Sequence, residues 1–424
     1  MKKLFSALLS VTFFPTFLSC MGRGVSADYI PEGTSFYESE ENSENGLGWI
    51  YFDDSAEVLS SYQSENSYSF GAYLDKNNTD VYNAFIKLAE PSVEQLTVKL
   101  SEPVSIELST NIPSKMTDED NQIYSSALFA SCRPGIDSAL FDIPELFWLD
   151  ITRMGVTVKN YSSSYNMRTK KYTIVMEAIT FSPDFFEAYG SMESVLEYKQ
   201  RLSEAAANAP IEGETRYEKL KSIHDHICNF TYYDLEAPFR TSAVGAIVEP
   251  GAVCEGYAEG FKIICDSIGI PCILVVGNFS STDDEGHMWN YVQMEDGKWY
   301  AIDVTWDDLN GKNGEELQHK YFLKGSDSFS KNHTPVSEFG ITMLNYPELS
   351  ESDYVQPSTE TDPEYETGDV NHDGKVNVAD IVYCSGAVLK THTPEFSCDV
   401  NNDGMVDAFD IVLIRKLVIE KSSD

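Results

Sequence analysis

The chain has 424 residues, 42% of them hydrophobic, and a formal net charge of -38. That length supports two or three domains with a sizeable core. So acidic a surface repels phosphate backbones and anionic headgroups, which excludes nucleic acid and anionic membrane as partners and suits an extracellular or cation-binding protein.

At the N-terminus, Lys2 and Lys3 precede an apolar run from Leu4 to Leu18. The run is too short, and too close to the start, for a lasting membrane span. Val25 and Ala27 stand at −3 and −1 of a signal-peptide cleavage after Ala27. Cys20, after Phe17-Leu18-Ser19, offers the competing reading of a lipidated cysteine, with Phe where Leu is usual. No other stretch is long or apolar enough to span a membrane, so no stable insertion is expected. Cleavage leaves Cys132, Cys228, Cys254, Cys265, Cys272, Cys384 and Cys398. An odd number leaves at least one thiol unpaired or paired between molecules.

Residues 28–210 read as mixed α/β. Val93–Leu100 and Ser105–Ser109 alternate like half-buried strands, as do Val156–Lys159 and Lys171–Phe181. Met192–Ala207 has helical spacing, and Phe141–Asp150 gathers aromatics around a proline like a core plug. This region carries no catalytic constellation. Thr215–Asn229 reads as an amphipathic helix with Tyr217, Leu220, Ile223 and Ile227 on one stripe. Its His224 and His226 point to different faces, which makes them a poor metal pair and suits surface or capping roles.

The stretch from Gly251 to Asp308 carries the chemistry. Cys254 opens a helix whose buried stripe is Tyr257, Phe261, Ile264 and Ile268, ended by Gly269. At a helix start, unsatisfied N–H groups and the helix dipole favour a thiolate and can bind an oxyanion. Cys272–Gly277 reads as a buried strand, and His287 starts the next one. Asp296-Gly297 turns the chain back into Trp299–Val304. A two-residue turn there pairs Asp303 with Asn290 and leaves His287 and Asp303 on opposite faces. A bulge or a longer turn is needed to bring them together.

GAVCEGYAEGF, GHMWNYV and GKWYAIDVTWDD resemble the three motifs of the transglutaminase-like superfamily. The resemblance spans about residues 210–335. It implies a papain-like core with a Cys-His-Asp triad, in which Cys254 attacks an acyl group, His287 shuttles the proton and Asp303 orients the histidine. Tyr232 or Tyr233 is the candidate oxyanion partner. Trp289, Trp299 and Trp306 are expected to pack.

Ser350–Gly368 is rich in Ser, Thr, Pro and acid, the composition of a solvated linker. Beyond it, DVNHDGKVNVAD from Asp369 to Asp380 repeats thirty residues later as DVNNDGMVDAFD from Asp399 to Asp410. Oxygen side chains fall at loop positions 1, 3, 5, 9 and 12 with Gly at 6, the pattern of a calcium loop. Two Ca²⁺ ions are expected. Asp369, Asn371, Asp373, Asn377 and Asp380 are the side-chain ligands of the first, and Asp399, Asn401, Asp403, Asp407 and Asp410 those of the second. Lys375 and Met405 contribute backbone carbonyls. Each loop precedes an apolar helix, Ile381–Leu389 or Ile411–Ile419, and follows none. Cys384 and Cys398 either pair or pack as thiols.

The loop-helix duplication resembles a type I dockerin, over about residues 368–420. That implies a scaffoldin cohesin as partner and a place in a cellulosome-like complex. At loop positions 10 and 11, which meet cohesin in that family, this chain has apolar Val378-Ala379 and Ala408-Phe409.

The expected fold is α+β. It has an N-terminal mixed α/β region (28–210), a papain-like transglutaminase core (211–349), an acidic linker (350–367) and a small all-α calcium-binding dockerin (368–424). The expected function is a secreted cysteine enzyme acting on peptide or glutamine amide bonds, with a protein or peptide substrate and no cofactor for catalysis. The competing classes are a non-catalytic binding module and a carbohydrate-active component of a polysaccharide-degrading complex.

Overall fold

Alternating side chains in the first half of the chain build one antiparallel sheet. In the computed structural model the described residues are 10–12, 68–109, 116–279, 286–308, 317–356, 366–391, 394, 397–401 and 405–421. Strands β1 (Ser10–Thr12), β2 (Leu96–Leu108), β3 (Gly155–Asn166) and β4 (Lys171–Ser182) pair antiparallel in the order β1-β3-β4-β2. The two strands expected between Val93 and Ser109 are one, with a register shift between Lys99 and Val104. Pro103 sits in that interval and has no N–H to give a ladder. β1 falls inside the expected signal peptide; the rest of residues 1–27 lies outside the described residues.

Helices α1 (Lys76–Phe85) and α2 (Asp118–Ala130) pack against β2, and α3 (Arg133–Asp142) packs against α1. The expected aromatic plug holds. Phe141, Leu146, Phe147 and Trp148 are buried, and the Trp148 indole donates to the Leu88 carbonyl at 2.9 Å. Helix α4 (Met192–Ala207) matches its predicted bounds, started by the Ser191 side chain accepting from the Ser194 N–H.

The second sheet lies further along the chain. Helix α5 (Arg216–Phe230) starts at a capping box between Thr215 and Glu218. Helices α6 (Ala243–Ile247) and α7 (Cys254–Ser267) follow, then β5 (Cys272–Asn278), β6 (Gly286–Gln293), β7 (Trp299–Ile302), α8 (Val304–Asp307), α9 (Ser326–Phe329) and β8 (Thr334–Pro335). The strands pair antiparallel in the order β7-β6-β5-β8, and α7 packs on β5 and β6. A Cβ on Gly260 would lie 2.5 Å from the Ala246 Cβ, so the close contact of α6 and α7 requires glycine there. With antiparallel sheets and separate helices, the class is α+β.

A continuous core runs through Val81, Trp148, Phe181, Ile223, Phe261 and Leu323, tying the first sheet to α5 and α7. A second cluster gathers Cys254, Trp289, Trp299 and Tyr321. Ser350 and Tyr354, at the head of the expected linker, still hydrogen-bond to Ser326 and Leu323; residues 357–365 lie outside the described residues.

Residues 355–424 form a separate unit. Its described helices are α10 (Val378–Val388) and α11 (Ala408–Lys421), with Val370, Cys384, Cys398 and Ile414 buried. Asn377 and Asp380 form a capping box at the start of α10. Among the described residues, no helix is long and apolar enough to cross a membrane.

Candidate active site

Cys254 is the first residue of α7, and extended Val253 precedes it as the helix cap. A fourteen-residue helix therefore points its positive end at the thiol. The backbone of Tyr232–Asp234 bridges to Ala252, two residues before the cysteine. Tyr233 is exposed, so of the two tyrosines Tyr232 is the one less open to solvent.

The β6–β7 hairpin decides whether histidine and aspartate meet. Its turn holds three residues, Glu295 to Gly297, not two. Gln293 pairs with Trp299, the Met294 N–H donates to the Lys298 carbonyl at 3.0 Å, and Gly297 has φ +76°. A glycine in the left-handed region closes such a turn. The extra residue shifts the register by one, so Asn290 faces Ile302 rather than Asp303. A one-residue shift exchanges the faces of a strand. Asp303 now lies on the side of His287, and the two-residue pairing expected from the sequence is corrected.

The contact follows directly. His287 Nε2 lies 2.7 Å from Asp303 Oδ2, leaving Nδ1 for another partner. Asp303 Oδ1 accepts from the Trp306 N–H at 3.1 Å, because Asp303 also caps α8. Cys254, His287 and Asp303 are 3%, 4% and 1% exposed. Burial alone would raise the Asp303 carboxyl's proton affinity. The charge and hydrogen bond of His287, joined by those of His333, hold it well below the usual carboxylate range.

Sequence reasoning missed His333. It is buried, with Nε2 2.9 Å from the same Asp303 Oδ2 and Nδ1 2.9 Å from Asn332 Oδ1. Its ring stacks on Phe329 and is edged by Trp289, Trp306 and Tyr321. The bridge of Ala301 to Lys324 and the pairing of β8 with β5, near Gly277, bring this later segment back to the hairpin. Trp289 and Trp299 pack as expected, and Trp306 is partly exposed beside His287. His287, Asp303 and His333 also have the donor set for a transition ion, their ligand atoms lying within 4.8 Å of one another.

His224 corrects a second expectation. It is buried, not a surface or capping residue, with Nδ1 3.0 Å from Asp225 Oδ1 and Nε2 3.3 Å from Asp307 Oδ2. His226 takes no part in those contacts.

In the first candidate calcium loop, described throughout, the expected ligand residues hydrogen-bond around one another. In the first, the Asp369 carboxylate accepts the N–H groups of Asp373 and Gly374, and Asn371 Oδ1 accepts from Asp373. Asp380 accepts from Asn371 and Asn377, while Asn377 caps α10 and approaches the Lys375 carbonyl. Gly374 has φ +82°, the sharp turn expected at position 6. In the second loop the described contacts centre on its last two acidic positions. Asp410 accepts from Val400, Asn401 and Asp407, and Asp407 caps the following helix. Asp399 and exposed Met405 flank the segment, and Asp403 lies outside the described residues. Hard oxygen donors at these positions fit Ca²⁺. Cys384 and Cys398 are buried neighbours that remain thiols.

Two family matches agree with this geometry. Residues 203–304 match the transglutaminase-like superfamily. Residues 367–419 match the type I dockerin domain. Dockerins of this type bind calcium and imply a cohesin partner and an extracellular, cellulosome-type setting. The chain is 27% identical over 173 residues to kyphoscoliosis peptidase of Mus musculus and to that of Homo sapiens, covering 35% of this chain and 25% of each relative. It thus spans about a quarter of the length of those relatives. A solved TGase structure is 15% identical, with a TM-score of 0.23 over 51% of this chain and 53% of that one.

Proposed function

We propose that this protein is a secreted cysteine enzyme that breaks peptide or glutamine amide bonds through a thioester on Cys254, held by its calcium-loaded dockerin on a cohesin-bearing scaffold. One observation carries the catalytic half. The three-residue turn puts Asp303 2.7 Å from His287 Nε2, and Nδ1 is left for the thiol that opens α7.

In this mechanism the Cys254 thiolate attacks the amide carbonyl carbon while the helix start receives the oxyanion. The imidazolium of His287 gives its Nδ1 proton to the departing amine, and the C–N bond breaks to leave a thioester. His287 then takes a proton from water, whose oxygen attacks the thioester. The acid leaves and the thiolate returns. An amine in place of water makes the same sequence a transfer. Water is the default acceptor, which favours hydrolysis. Asp303 holds the imidazole in the tautomer that leaves Nδ1 available and balances its charge.

Asp369, Asn371, Asp373, Asn377 and Asp380, with the Lys375 carbonyl, would hold one Ca²⁺. Asp399, Asn401, Asp403, Asp407 and Asp410, with the Met405 carbonyl, would hold the second. Bound there, Ca²⁺ would fix the loops and so the start of each helix. The apolar side chains at positions 10 and 11 then face a cohesin. Exposed Val378 and Phe409 favour a partner with an apolar patch.

The test is hydrolysis or transfer across a library of peptides and glutamine-containing proteins. Cys254→Ala is expected to abolish turnover, and unchanged activity overturns the reading. A metal-hydrolase reading draws on the donors of His287, Asp303 and His333. Chelation abolishes activity in that case and leaves it intact under the thiol mechanism.

A further inference from the structure

We propose that His224, Asp225 and His319 bind a divalent transition ion, with Zn²⁺ the best match to their chemistry. His224 and Asp225 are adjacent on α5, and His319 comes from a distant segment, yet their ligand atoms lie within 4.8 Å of one another. Asp225 Oδ1 sits between the two rings, 3.0 Å from His224 Nδ1 and 2.6 Å from His319 Nε2. The ring centroids are 4.9 Å apart, so both imidazoles reach one point. Bonds of about 2.0–2.2 Å to a tetrahedral ion place its ligands roughly 3–3.5 Å from each other, so the two Asp225 contacts need only to open slightly.

The surroundings fit an ion as well as the three donors do. His224 Nε2 is 3.3 Å from Asp307 Oδ2, which fixes the tautomer and leaves the Nδ1 lone pair for a metal. A carboxylate behind a ligating histidine is the usual support of such sites. Lys221 Nζ holds Asp225 Oδ2 at 2.6 Å, so Asp225 would bind through Oδ1 alone. Two imidazoles and one carboxylate select a borderline ion over Ca²⁺ or Mg²⁺. Asp225 and His319 are partly open to solvent, which supplies an entry path and a water as fourth ligand.

The ion would act as a clamp. Both Asp307 oxygens accept from the Tyr321 N–H at 3.0 Å, and the Tyr321 carbonyl accepts from the Asp303 N–H at 3.1 Å. Fixing His224 would therefore steady the backbone that carries Asp303.

The experiment uses full-length protein carrying Cys254→Ala, with calcium in excess to fill the dockerin loops. Zinc affinity is read by competition with a chromogenic chelator, and geometry by the visible spectrum of the Co²⁺ form. One zinc per chain is expected, with a tetrahedral cobalt spectrum. His319→Ala, on a partly exposed segment, and the conservative Asp225→Asn are expected to weaken binding at least 10-fold, with His226→Ala and His333→Ala unchanged. Absence of zinc binding overturns the proposal. So does affinity that survives His319→Ala and Asp225→Asn, or that disappears with His333→Ala alone.

Discussion

Asp303→Asn separates the orienting role proposed for this residue from simple packing. Three groups address its carboxylate: His287 and His333 at Oδ2, and the Trp306 N–H at Oδ1. Asparagine keeps the shape but offers one acceptor oxygen and one amide. If the oxygen faces the histidines, the amide meets the Trp306 N–H, donor against donor. If it faces Trp306, the amide meets His287 Nε2 and forces the imidazole proton onto Nδ1, the atom needed as base. Either way the proposed ion pair of His287 with the thiolate loses its buried counter-charge. A hydrogen bond to a charged group contributes about 1.5–3 kcal/mol, which is roughly a 10- to 150-fold loss of thiolate at neutral pH. A wrong tautomer extends the loss in turnover to about 10⁴-fold. The assay is the rate of Cys254 alkylation by iodoacetamide against pH, located by mass spectrometry, and it needs no substrate. The parent protein is expected to react from acidic pH upward. Asp303→Asn is expected to react only as pH nears the ordinary thiol range around 8.5. Superimposable profiles would refute the ion-pair reasoning.

Other expectations follow from the same contacts. His333→Gln, which removes one of the two imidazoles on Asp303, is expected to slow turnover about 10-fold and shift the alkylation profile between those of the parent and Asp303→Asn. Gly297→Val strains the left-handed turn residue and is expected to cost about 1–3 kcal/mol in denaturant unfolding, with residual activity in the folded fraction. Burial pushes the Glu259 carboxyl up to about 8, with the Ala243 N–H opposing and the charge of Glu145 adding. The unfolded chain loses that proton near its ordinary value of 4.5, so between about 4.5 and 8 the folded state binds more protons and stability falls as pH rises. Glu259→Gln is expected to flatten that slope in melts at pH 5 and pH 8; an unchanged slope removes Glu259 as its source. Calcium is expected to raise the melting temperature of the dockerin unit, and Asp380→Ala to abolish about half of that gain, because an ion that binds only the folded loops stabilises them.

Local chemistry was legible without any coordinates. Apolar stripes and Gly269 marked the helices, and α4 falls on its predicted bounds. The loop spacing marked the candidate calcium loops, since the expected ligands of each lie within twelve residues of one another. The cysteine's place at a helix start was equally local. What the sequence left open was of longer range. The hairpin register depended on whether the turn held two residues or three, a difference of a few hydrogen bonds that flips every side chain of a strand. His333 and His319 reach their partners 30 and 94 positions away only because β8 returns to β5 and the segment after α8 folds back on α5. Spacing along a chain carries no record of such encounters. The identities of the candidate site residues were thus set by sequence, while their company was decided by tertiary packing, which alone selects among backbone registers of nearly equal local energy.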